Sequence, residues 1–203
     1  MAFNLQINRT LVKKATHTGK EVPQDAMQQE WQEIQAAQRN PAHFRPLYNR
    51  YYDPIFRFIY RRTNEEELTA DICSQVFLKA MQKLPAYQFK GVPFSAWLYR
   101  IASNEVAQHF RNLKKSRVVS VDDAQLSDVI DEMEEKDTEV QREALIAMLD
   151  ELKEAEVQLI ELRFFEQRPF KEVAEILGIT ESNAKVKTYR LLNKLKKKME
   201  ARI

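Results

Sequence analysis

The chain has 203 residues, a formal net charge of +2 and one cysteine, Cys73, which leaves no basis for a disulfide framework or a thiolate zinc site. Its three glycines, with abundant Glu, Lys, Gln, Leu and Ala, favour helices throughout. No apolar run is long enough to span a bilayer and no signal-peptide pattern stands at the start, so a cytoplasmic protein without membrane insertion is expected.

The near-neutral total hides a segregation of charge. Residues 41–120 carry thirteen Lys/Arg against six Asp/Glu, residues 121–139 carry nine acids and only Lys136, and residues 182–203 carry eight basic residues and only Glu200. Two basic regions flanking an acidic tract suggest a nucleic-acid binder with a built-in polyanion.

Taken in chain order, residues 1–23 show no sustained pattern and are expected to form a flexible extension. Met27, Trp31 and Ile34 stand at helical spacing and predict a helix over 24–39. Asn40-Pro41 suits a cap and first turn, and Asp53-Pro54 predicts an interruption and restart. A further amphipathic helix is expected over 65–84, then a loop from Pro85 to Pro93 marked by Gly91 and its prolines. The pattern resumes as a helix over 94–113 with a basic end. Residues 116–139 show no apolar periodicity and few large core residues, and read as an acidic flexible linker. Helical spacing returns from Val140. The expected architecture is all-α: a helical domain over 24–115, the linker 116–139, and a second helical domain over 140–203.

The strongest local signal is the helix-turn-helix pattern of Phe170–Lys198. Val173, Ala174 and Leu177 form the inner face of a first helix, Gly178 permits the turn, and Ile179 fills the corner. Thr180 suits the cap of a second helix, with Glu181 favourable at its N-terminus. Ala184, Thr188, Leu191 and Leu195 form its buried stripe. Asn183, Lys187, Arg190 and Lys194 form a neighbouring stripe, with Lys185 and Tyr189 further round. Such side chains suit the major groove, where Lys and Arg take phosphate or guanine and Asn pairs with adenine.

Two further runs carry a resemblance. Ala70–Leu84 contains Asp-x-x-x-x-Val-Phe-Leu-Lys-Ala, and Phe94–Asn112 contains Trp-Leu-x-x-Ile-Ala-x-Asn. Together with the helix-turn-helix they make the chain similar, over about residues 27–200, to the extracytoplasmic-function sigma factors. The resemblance implies a factor that binds core RNA polymerase and directs it to promoter DNA, with no cofactor and no catalysis of its own. It implies docking on the clamp and flap regions of the polymerase, with Asp71, Gln75, Val76 and Phe77 on the clamp. It assigns the loop 85–93, with Tyr87 and Lys90, to capture of a flipped base in the downstream promoter element. Asn104, Arg111, Lys114 and Lys115 are assigned to DNA beside it, and the second helix of the helix-turn-helix to the upstream element. An anti-sigma factor is a further implied partner.

From the residues alone, Tyr87 suits base stacking or packing equally, whereas Phe94 and Trp97 suit the core. The acidic tract is either a spacer or a nucleic-acid mimic lying across the basic faces near Lys114 and Lys187. Two departures from the family pattern stand out. Gln108 occupies a position where Asp is frequent, and Asn183-Ala184-Lys185 stands where many members have Thr-Val-Lys. The competing readings are a stand-alone helix-turn-helix regulator and a protein-binding helical adaptor.

Overall fold

In the computed structural model of the chain, residues 22–113, 121 and 123–201 are described. They fall mainly into two helical units, one before residue 114 and one after residue 120, with no strand among the described residues. Residues 1–21 of the expected extension over 1–23, and residues 116–120 and 122 of the expected linker, lie outside the described residues.

The N-terminal unit comprises α1 (Gln24–Arg39), α2 (Arg45–Thr63), α3 (Glu66–Lys83) and α4 (Phe94–Leu113), with 3-10 turns at Pro41–Phe44 and Leu84–Ala86. Asn40 caps the first of these turns, its Oδ1 accepting from the Ala42 amide at 3.0 Å. The expected interruption at Asp53-Pro54 does not occur: α2 runs through Pro54. Proline removes one backbone bond, here to the Arg50 carbonyl, and costs about 3 kcal/mol in a helix interior. That loss is outweighed by packing on both sides of it. Leu47 before the proline and Ile55, Phe58 and Ile59 after it are all buried, each worth about 1.5–3 kcal/mol. The helix ends at Asn64, whose left-handed φ of 51° turns the chain. Ile72, Cys73, Val76 and Ala80 of α3 and Leu98, Ala102 and Val106 of α4 complete the core. An ion pair from Lys79 to Glu105 at 2.6 Å ties α3 to α4.

The C-terminal unit comprises α5 (Asp123–Glu132), α6 (Glu139–Asp150), α7 (Glu154–Ile160), a π-helical turn (Glu161–Phe165), α8 (Phe170–Leu177) and α9 (Glu181–Glu200). Here the structure corrects the expectation of a linker over 116–139. Residues 123–132 form a helix, and Leu126, Val129 and Ile130 are buried, with Met133 just beyond them. These four residues recur at i, i+3, i+4 and i+7, which makes one apolar face. The turn that follows is tied down: Asp137 accepts from the Arg142 Nε at 2.7 Å and from the Ser127 hydroxyl at 2.7 Å. Those bonds, the Arg142 guanidinium first, hold the Asp137 carboxyl down to about 2. Thr138 caps α6. A polyanion that repels itself thus folds because its apolar side is buried while Asp123, Asp128, Asp131 and Glu134 face outward, Glu132 alone of the acids of α5 being buried.

Candidate nucleic-acid and partner interfaces

The second helix of the helix-turn-helix, α9, starts from turn chemistry. Gly178 has φ 67°, a conformation that a Cβ would resist. The Ile179 amide donates to the Ala174 carbonyl at 3.0 Å. Thr180 Oγ1 accepts from the Asn183 amide at 3.2 Å, capping α9. Ala184, Thr188, Leu191 and Leu195 are buried as expected, and the Thr188 hydroxyl satisfies itself on the Ala184 carbonyl at 2.9 Å. Asn183, Lys187, Arg190 and Lys194 are exposed.

Charge along this face is not evenly available. Lys194 pairs with Glu156 at 2.9 Å and Lys185 with Glu181 at 2.7 Å. Among the described residues Lys187 and Arg190 have no carboxylate partner, so their charge is directed at solvent. Tyr189 departs from its expected place on this surface. It is 5% exposed, its ring lies 6.1 Å from that of Phe170, and burial pushes its hydroxyl up to about 12. An aromatic from α8 draws it inward, so it supports α9 instead of facing a ligand.

In the N-terminal unit, α1 scaffolds the loop between α3 and α4. Gln38 Nε2 donates to the carbonyls of Leu84 and Tyr87, each at 2.9 Å. The Glu30 carboxylate is buried and accepts from the Phe94 amide at 3.0 Å, capping the start of α4. It also accepts from the Tyr51 hydroxyl and from Arg50 at 3.4 Å. Desolvation, with the Glu30 charge beside it, raises the Tyr51 hydroxyl well above the usual tyrosine range. None of these polar ties is visible in the sequence, because they join residues up to 64 positions apart.

Around them sits an aromatic cluster. Tyr87 is half-buried, with ring neighbours Trp31 at 6.1 Å, Phe94 at 5.2 Å and Trp97 at 4.9 Å. Packing therefore accounts for most of its surface. Phe89, stacked on Trp31 at 6.0 Å and 40% exposed, presents the more accessible ring, beside the exposed Lys90. Asn104, Gln108 and Arg111 are exposed along α4, at a spacing that places them on one face. Lys114 and Lys115 lie outside the described residues.

The four residues expected to dock on the polymerase divide. Asp71 and Gln75 are exposed, one turn apart on α3. Val76 and Phe77 are 0% and 3% exposed. They fill the core, Phe77 against Tyr48 at 4.8 Å and Phe44 at 6.5 Å, and so are not part of a docking surface in this structure. Leu78, 57% exposed, and Met81, 41% exposed, are the exposed apolar side chains of α3.

Comparison with known proteins agrees with this division into two units. The Sigma-70 region 2 family matches residues 47–116 and the Sigma-70 region 4 family matches residues 142–195. The ECF RNA polymerase sigma factor BldN of Streptomyces coelicolor is 27% identical over 154 residues, covering 75% of this chain and 58% of BldN. The RNA polymerase sigma factor YlaC of Bacillus subtilis is 29% identical over 156 residues, covering 75% of this chain and 90% of YlaC. The ECF RNA polymerase sigma factor SigM of Bacillus subtilis is 25% identical over 151 residues, covering 74% of this chain and 91% of SigM. A solved RsbN–BldN complex aligns at 26% identity over 80% of this chain and 96% of that one, with a TM-score of 0.36. With region 2 and region 4 in order and these relatives beside it, the chain belongs to the RNA polymerase sigma factors of the extracytoplasmic-function type.

Proposed function

We propose that the chain binds core RNA polymerase and reads a two-part promoter, each unit taking one element. Asp71 and Gln75, with Leu78 and Met81 beside them, form the docking face for the clamp of the largest subunit. Asn104 and Arg111 lie along downstream-element DNA, and Phe89, Trp31 and Lys90 offer rings and a charge to a melted strand, which aromatic stacking in a basic groove would hold. Tyr87 contributes by shaping that loop. In the C-terminal unit, Asn183, Lys187 and Arg190 read the upstream element in the major groove. Lys185 and Lys194 supply phosphate contacts once their carboxylates are displaced. The chemistry of RNA synthesis belongs to the polymerase.

The observation that carries this reading is the face of α9, where Lys187 and Arg190 project, without carboxylate partners among the described residues, from a helix whose opposite stripe is buried. The test is transcription in vitro from a randomised promoter library by core polymerase with and without the chain. Enrichment of templates sharing two spaced elements is expected. Identical transcripts with and without the chain would overturn the proposal.

A further inference from the structure

The acidic helix α5 and the turn after it are tied to the rest of the C-terminal unit. Lys196 of α9 donates to the Met133 carbonyl at 2.9 Å and pairs with Glu135 at 2.9 Å. Gln167, after the π-turn, donates to Asp128 at 3.4 Å. Between these two ties lies a pocket of about 610 Å³ with Glu132 and Arg163 among its walls. Both are buried, at 9% and 2% exposed.

From Arg163 a short series of contacts leads to α9. Its guanidinium lies 4.7 Å from the Phe170 ring centre and donates to the Arg168 carbonyl at 3.0 Å. Phe170 opens α8 and meets Tyr189 of α9 at 6.1 Å, with the Lys185 ammonium 5.9 Å from its ring. Arg168, in the same segment, has its own carboxylate in Glu172 at 3.3 Å. Desolvation lowers the Arg163 pKa, and the Glu132 charge acts in the opposite direction on it. The same carboxylate also acts through space on Tyr189.

We infer that α5 positions the recognition helix, with Glu132 as a positioning residue acting through Arg163 and Phe170 on Tyr189. The acidic tract is then part of the reading head. Its docking lies at the Lys196 end of α9, away from Lys187, and so leaves the proposed DNA face open. This is the reverse of a mimic lying across that face. The physical reason is the asymmetry of buried charge: Glu132 and Arg163 are buried with opposite charge on the walls of one pocket, and removing one of two such charges leaves the other uncompensated, whereas removing both is often neutral. The inference rests on the proposal that α9 reads DNA only for its consequence in binding, not for the coupling itself.

The test uses the full chain and three variants: Glu132→Gln, the outward-facing control Asp131→Asn, and the double variant Glu132→Gln with Arg163→Met. Amide hydrogen exchange is followed over residues 181–200. Binding is measured at fixed salt to the best promoter from the library selection and to a shuffled duplex. Glu132→Gln is expected to speed exchange in α9 about tenfold, as loss of one buried partner should. It should weaken promoter binding several-fold while leaving shuffled-duplex affinity unchanged. Asp131→Asn should match the parent, and the double variant should recover protection. Unchanged exchange in α9 for Glu132→Gln would overturn the inference, as would an equal effect from Asp131→Asn. If Glu132→Gln unfolds the unit, the double variant decides, since a folded chain with restored α9 protection is expected and no recovery refutes the coupling. Absence of promoter binding by the parent chain would instead sink the DNA-reading proposal, with the exchange data still deciding the positioning role.

Discussion

Replacing Glu30 with Ala removes the acceptor that joins α1, α2 and the start of α4. The Phe94 amide, on a residue 1% exposed, loses its partner, and an unsatisfied buried donor costs about 1–3 kcal/mol. The Tyr51 hydroxyl is half-buried and recovers part of its loss from water, leaving up to about 1 kcal/mol. Arg50 keeps Glu33 at 2.8 Å and is 44% exposed, so its share is about 0–1 kcal/mol. The sum is about 3 kcal/mol, which at this size lowers the midpoint of thermal unfolding of the N-terminal unit by about 12–24 °C. Glu30→Gln keeps an acceptor and should lose about half as much, since charge-assisted bonds are roughly twice as strong as neutral ones. Urea and thermal unfolding followed by circular dichroism measure both variants. Promoter opening by the reconstituted holoenzyme should fall alongside, because the loop carrying Phe89 and Lys90 loses its anchor at Phe94. A change of less than about 0.5 kcal/mol for Glu30→Ala, the size of an ordinary surface substitution, would refute the reasoning.

Asp71→Arg with Gln75→Arg should weaken association with core polymerase while circular dichroism stays unchanged; Val76→Arg should unfold the N-terminal unit instead, and equal loss of helicity in both would place Asp71 and Gln75 in the core. Lys187→Ala or Arg190→Ala should cost about 1–3 kcal/mol against the cognate upstream element if the contact is bidentate to a base, as read by titration of duplexes varied one position at a time. A uniform loss over every sequence would reassign the residue to phosphate. Tyr189→Phe keeps the ring on Phe170 and removes a hydroxyl with no hydrogen-bond partner among the described residues. Stability should hold or rise and DNA affinity should not change, so a selective loss of promoter binding would return Tyr189 to the DNA surface.

The helix-turn-helix was legible because its signals are local: a turn glycine, a capping threonine, and apolar residues at spacings of four, three and four. Helix α5 carried the same kind of signal in Leu126, Val129, Ile130 and Met133, but the density of acids around them pointed to a solvated linker. The apolar period outweighed composition once a partner surface existed to cover it. Pro54 misled for a related reason, since local preference gave way to packing on both sides. Tyr189 stands next to Thr188 at the edge of the buried stripe, and only Phe170, from another helix, decides which way it faces. Glu30 and Gln38 were invisible as loop anchors because nothing local marks a carboxylate or an amide whose partners lie in another helix or loop.

The position of Cys73 has a consequence for survival under oxidants. Its side chain, on α3, is fully buried, and desolvation pushes the thiol up to about 12. Nucleophilic attack and oxidation both proceed through the thiolate, which is almost absent at neutral pH under those conditions. The folded chain should therefore resist sulfenylation and intermolecular disulfide formation at peroxide levels that modify exposed thiols. An aromatic disulfide reagent should react with it only as fast as the N-terminal unit opens, which turns the single sulfur into a clock for that opening. Stoichiometric labelling within seconds under native conditions would contradict this burial.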